Sequence, residues 1–198
     1  MHSTEPGQWK QYLQEVFGRY SPLEESTVDA LLSLCQPISV KKGTSLLNIG
    51  ATSRYLYILV EGAVVSYYLG DEGQAYHKNI FLEGDFVGST VSAIKQEPSD
   101  FGLETIQPCQ LLQISYRGYR ELMETQLDLK NFYVAYLEQN WVIQKEKREV
   151  EMVLLDAGQR YADFLQKHPG IENRVPLHYI ASHLGITPTQ LSRIRKKR

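Results

Sequence analysis

Leu177 to Lys196 reads LHYIASHLGITPTQLSRIRK, and the spacing within it governs how the rest of the chain is read. Apolar or small residues recur at helical intervals (Ile180, Ala181, Leu184, Ile186, Leu191, Ile194), and Gly185 separates two helical patterns, Val175 to Leu184 and Pro188 onward. Two steeply crossing helices need a small residue at their contact, supplied by Ala181, and a turn residue that tolerates positive φ, supplied by Gly185. The second helix has its own start signal: Thr187 can cap the free amides, and Pro188 takes the first helical position, where no donor is lost. The stretch reads as a helix-turn-helix. Thr187, Thr189, Gln190, Ser192, Arg193, Lys196 and Lys197 line the exposed side of its second helix, and these residue types contact phosphates and base edges in a major groove.

Charge supports this reading over the alternative of two ordinary surface helices. From Arg174 to Arg198 there are six Lys or Arg and no Asp or Glu, giving +6; the other 15 basic and 23 acidic residues give −8, and the sum is the chain's −2. A near-neutral chain with one strongly basic end carries the electrostatic footprint of a nucleic-acid binder.

The 198 residues allow one large domain or two modest ones, with ordinary hydrophobic (42%) and charged (22%) content. No run approaches the roughly 20 apolar residues of a membrane span, and MHSTEPGQWK lacks a basic start followed by an apolar run, so the expectation is a cytoplasmic protein without a membrane partner. Cys35 and Cys109 stand far apart, outside any CxxC spacing; buried thiols are expected, with no metal and no cofactor.

Upstream, Trp9 to Tyr20 has helical spacing, and Ser21 followed by Pro22, Glu24 and Glu25 signals a second helix to about Leu34, ended by Pro37. From Ile38 to Ser115 the pattern becomes short strands punctuated by glycine: 38–41, 45–49, 56–60, 63–69, 75–81, 102–106 and 110–114. Such spacing implies a sandwich or jelly-roll barrel. Ser115 caps a long helical region in which Leu129, Tyr133, Tyr136, Asn140, Ile143, Lys147, Val150 and Leu154 form a heptad seam, read as the interface of a two-fold homodimer with Asn140 setting register. A single helix docked on its own barrel is the alternative. Asp156 caps a further helix, broken at His168-Pro169-Gly170. The division expected is 1–127 for the α+β effector-type domain, a double-stranded β-helix (jelly-roll) barrel with flanking helices, 128–155 for the dimerisation helix and hinge, and 156–198 for the DNA-binding unit.

This order, with KKGTSLLNIG, SRYLYILVEGAVVSYYL, FLEGDFVGS, LLDAGQRYADFL and the terminal helix-turn-helix, resembles the Crp/Fnr family of bacterial transcription regulators. The resemblance implies a cyclic-nucleotide-binding-type effector domain, a dimerising long helix and a reader of palindromic double-stranded DNA, with RNA polymerase and an unidentified small-molecule effector as further partners. In cAMP-binding members a Gly-Glu pair binds the ribose and an Arg-Ser pair binds the cyclic phosphate. The matching positions here are Gly88-Ser89, followed by Thr90, and Ser99-Asp100; a carboxylate opposes a phosphate, and no arginine offers a bidentate clamp. The base-contacting Thr-Ser pair of those members is replaced by Lys145-Glu146. The resemblance therefore implies a degenerate effector site unlikely to bind cAMP. The family's Arg-Glu at the start of the recognition helix is Pro188-Thr189, Arg193 keeps the later guanine-reading arginine, and no wing is expected after Arg198.

Other signals point away from catalysis. His77 has no HxH partner for a cupin-like metal site, and His178 and His183, five apart, do not share a helical face and are expected near DNA or solvent. No nucleophile motif or phosphate loop occurs, so an enzyme is not expected. The rival reading is a small-molecule-sensing module acting through protein contacts.

Overall fold

The computed structural model describes residues 6–197. Residues 1–5, part of the start read as carrying no targeting signal, and Arg198, the last of the six basic residues, lie outside it.

Two helices, α1 (Pro6–Gly18) and α2 (Glu25–Leu34), precede eight strands: β1 (Cys35–Val40), β2 (Ser45–Leu47), β3 (Tyr55–Glu61), β4 (Val64–Leu69), β5 (Ala75–Phe81), β6 (Phe86–Val87), β7 (Gly102–Thr105) and β8 (Cys109–Ser115), with α3 (Thr90–Lys95) between β6 and β7. They form a β-roll of two antiparallel four-stranded sheets, β1-β8-β3-β6 and β2-β7-β4-β5, not a closed barrel. The run YLYILV of β3 is apolar on both faces because both are covered. Leu56, Ile58 and Val60 meet α1, α2 and the later helices through Leu13, Phe17, Leu31 and Phe132, while Tyr57 and Leu59 face the roll interior with Leu47, Val87, Leu103 and Leu111.

Two sequence expectations are corrected. Pro37 does not end α2; it sits inside β1, which is tolerated because β1 is an edge strand. Ser21 does not cap α2, whose N-cap is Glu24. The two-residue β6 is too short to leave a periodic signal. Gly62, with φ +107°, makes the tight β3–β4 turn; a Cβ there would meet the Pro108 carbonyl oxygen at 2.4 Å.

After β8 come α4 (Tyr116–Thr125), capped by Ser115, then α5 (Leu127–Leu137), a π-helical turn (Glu138–Ile143) and α6 (Gln144–Leu154) in near-continuous succession. Next are α7 (Ala157–Lys167), whose N-cap Asp156 forms a capping box with Gln159, then α8 (Leu177–His183) and α9 (Pro188–Lys196). Tyr161, Phe164, Ile171, Val175, Ile180 and Leu191 form one apolar core with Ala63, Val65 and Ile106 of the roll, so the C-terminal unit packs onto the roll.

Candidate nucleic-acid interface

The α8–α9 corner takes the shape its residues dictate. Ala181 is fully buried where the helices meet, Gly185 turns the chain at φ +69°, and the Ile186 amide donates to the Ala181 carbonyl (3.0 Å). Thr187 and Gln190 form a reciprocal cap: Thr187 Oγ1 accepts from the Gln190 amide (3.1 Å) and Gln190 Oε1 accepts from the Thr187 amide (2.8 Å), with Pro188 opening the helix. Leu191 is buried and Ile194 packs on the same core, so the opposite face of α9 is turned outward. Thr187, Thr189, Gln190, Ser192, Arg193, Lys196 and Lys197 are all exposed there.

The basic residues divide into two groups. Arg174 turns inward to grip Glu83 with both terminal nitrogens (3.0 and 2.6 Å) and the Gly62 carbonyl (3.2 Å). Arg195 pairs with Glu172 (2.9 Å), which also accepts from the Tyr161 hydroxyl. Both were counted toward the basic footprint, and both serve the fold instead. Arg193, Lys196 and Lys197 remain directed to solvent, with no salt bridge among the described residues. Gln190 engages its side-chain oxygen in the cap and keeps both amide hydrogens free for a base edge.

In the roll, Gly88 and Ser89 follow β6, Thr90 begins α3, and Ser99 returns beside them: Ser89 and Ser99 are buried and joined hydroxyl to hydroxyl at 2.9 Å. Asp100 is exposed, next to this pair in sequence. The five residues singled out from the sequence thus divide, with the two serines brought together inside and the carboxylate left outside.

Residues 37–126 match the family model described as the cyclic nucleotide-binding domain. The cAMP-activated global transcriptional regulator CRP of Pasteurella multocida is 23% identical over 187 residues, spanning 89% of this chain and 88% of that one. Among solved structures, the c-di-GMP responsive global regulator CLP of Xanthomonas campestris superposes with a TM-score of 0.65 at 20% identity, covering 88% of this chain and 91% of that one. The catabolite activator protein of Thermus thermophilus gives 0.56 at 18% identity, over 88% and 83%. The chain carries a cyclic nucleotide-binding domain and is similar over most of its length to CRP-type transcriptional regulators.

The long helix departs in part from the seam expected from its heptads. Leu129 is wholly buried in its own chain's core, and Tyr133 and Tyr136 pack on the same cluster, Tyr136 with its ring 5.1 Å from Phe86 and 5.2 Å from Tyr20. Leu129 has no surface left for a partner, and Tyr133 and Tyr136 offer only the part of each ring that their own roll leaves uncovered. Asn140 bonds back to the Tyr136 carbonyl (2.9 Å), and Lys147 lies in solvent beside Glu151 (3.7 Å). The π turn sets α6 back by about one residue's rotation, roughly 100°. The exposed apolar stripe is therefore Leu127, Val134, Val142 and Val153, flanked by Trp141, Ile143, Val150 and Leu154.

His183 is a further correction: it faces the roll, with Nδ1 2.7 Å from the Lys78 carbonyl oxygen, whereas His178 is exposed to solvent as expected, its ring 6.5 Å from that of His77. No group of three or more metal-binding side chains occurs among the described residues, and no described helix is long and apolar enough to cross a membrane.

Proposed function

We propose that this chain is a member of the Crp/Fnr family, a homodimeric, sequence-specific DNA-binding transcription regulator whose roll does not respond to cAMP. The observation that carries this reading is the outward face of α9, where Arg193, Lys196 and Lys197 stand clear while the other helix face is buried and its N-terminus is capped. Arg193 has the fork for guanine O6 and N7, and Lys197, just past the helix end, reaches only phosphate. Paired recognition helices in successive major grooves call for half-sites about 34 Å apart.

Selection of bound sequences from a random DNA library, followed by gel-shift titration, tests the reading. Arg193→Ala should cost roughly 1–3 kcal/mol per half-site and relax one base position. Lys197→Ala should weaken all sequences alike and lower the salt slope by about one counterion per half-site. Failure to enrich any sequence would reject it.

One observation favours the second reading, a sensing module acting through protein contacts. A cleft of about 240 Å³ opens between β2 and β3, lined by Ser53, Arg54, Tyr55 and Tyr57 among others, and Tyr57 is almost fully buried there. It is smaller than the roughly 300 Å³ at which drug-sized pockets begin.

A further inference from the structure

The roll and the C-terminal unit meet at an edge. β5 is the outer strand of its sheet, and such a strand presents unpaired amides and carbonyls. The β4–β5 register shifts between Ser66 and Tyr67, which pair with Asn79 and His77, so Lys78 is the extra residue of a bulge. α8 lies along this edge and satisfies it. The His77 amide donates to Ser182 Oγ (2.7 Å), and the bulged Lys78 carbonyl accepts from His183 Nδ1 (2.7 Å) and from the Arg148 guanidinium of α6 (3.4 Å). Two cations close the C-terminal end of α8, Arg148 on the His183 carbonyl (3.1 Å) and Arg160 of α7 on the Leu184 carbonyl (3.4 Å), as the negative end of a helix favours.

Four of the chain's five histidines gather here. His77 packs edge-on against Tyr179 (4.6 Å) with His178 nearby, and Phe164 of α7 has His168 on one contact (4.9 Å) and His183 on another (5.3 Å). A carbonyl only accepts, so Nδ1 of His183 carries the hydrogen, and a second proton would make the ring cationic. The charged groups that act on that ring are positive: Arg148 from α6, Lys167 and, once protonated, His168 from α7. Of the acids of α6, Glu149 is engaged by Lys145 (3.7 Å) and Glu151 by Lys147 (3.7 Å) and Lys167 (4.0 Å), and the charge of Glu104 on β7 acts on Tyr179. Lys78 itself points its ammonium toward the Tyr68 ring (6.0 Å).

We propose that the β5–α8 contact is an acid-released clasp, in which neutral His183, flanked by His77 and His168, holds the helix-turn-helix on the roll and protonation frees it. Burial, then Arg148, pushes His183 down to about 4, and burial also lowers His77 and His168. A histidine lowered in the docked form supports docking fully above its free value near 6.5 and loses that support as pH falls toward the docked value. From His183 alone, docking should weaken about tenfold between pH 7.5 and 5.5. That release alters DNA recognition rests on the function proposed above; the clasp itself does not.

Hydrogen exchange of the full chain, without DNA, tests the clasp independently of that function. Corrected for intrinsic rates, peptides covering β5 and α8 should lose about tenfold protection at pH 5.5 relative to 7.5, while β3 and β8 should not. His183→Asn keeps a donor for the Lys78 carbonyl but cannot titrate, so its loss of protection between the two values should be smaller, the remainder coming from His77 and His168. Unchanged wild-type protection, or an undiminished pH response in H183N, overturns the proposal. If H183N is undocked throughout, NMR titration of the wild-type ring decides: a midpoint near 6.5 overturns the clasp, and one well below it supports the clasp.

Discussion

The Ser99 hydroxyl lies 2.9 Å from that of Ser89, a buried pair at the two positions that the resemblance to cAMP-binding regulators matches with arginine and glutamate. Two short neutral side chains satisfy each other there, and neither can offset a phosphate's charge. Thermal melts in millimolar cAMP should be unmoved. A ligand bound to the native state alone adds about 2.7 kcal/mol at a hundredfold excess over Kd, so a shift of several degrees would show the cassette to be functional.

The apolar stripe on the long helix, Leu127, Val134, Val142 and Val153, is the surface expected to pair with a second copy. Sedimentation at micromolar concentration should give about twice 22.7 kDa. Val134→Glu with Val142→Glu should give a folded monomer. By contrast Leu129→Ala, in the protomer's own core, should cost roughly 2–5 kcal/mol of stability and leave association intact. Dissociation by the Leu129 change without loss of stability would restore the original heptad reading.

Arg174 and Glu83 tie the C-terminal unit to the turns of the roll. Burial raises the Glu83 carboxyl, but hydrogen bonds from Arg174 and the Gly62 amide outweigh it and hold the group below its usual value. The pair's contribution is thus present above the ordinary glutamate range and is lost as pH falls through the lowered value. The two side chains are 41% and 35% exposed, so a double-mutant cycle with Arg174→Ala and Glu83→Ala should return only about 1 kcal/mol at pH 7. Urea unfolding at pH 7 and pH 3 checks this; a coupling no smaller at pH 3 would contradict the charge assignment.

What was legible in the sequence was local. Thr187-Pro188, Asp156 and Gly185 announce their caps and turn within a few residues, and the structure places all three as read. What was not legible depends on distant partners. Leu129, Tyr133 and Tyr136 form an apolar stripe whichever surface covers them, and nothing in their spacing says that α1 and the roll do so. Arg174 reads as a free cation until Glu83, 91 residues away, is beside it. His183 reads as exposed until β5 presents a bulged carbonyl. The π turn is silent because no residue between Glu138 and Ile143 is reserved for one.

That turn gives the molecule a phase. α5 is fixed to the roll by Leu129 and Phe132, and α6 carries Arg148 to the clasp, so the single surplus residue between them acts as a gear tooth. Removing it would advance α6 by about 100°, lifting Arg148 away from the His183 and Lys78 carbonyls and, in the proposed dimer, turning α9 relative to the two-fold axis. If the chain reads DNA as the proposed dimer, the angle between its two heads is written in a residue count some fifty positions upstream of α9, away from every residue that would touch a base.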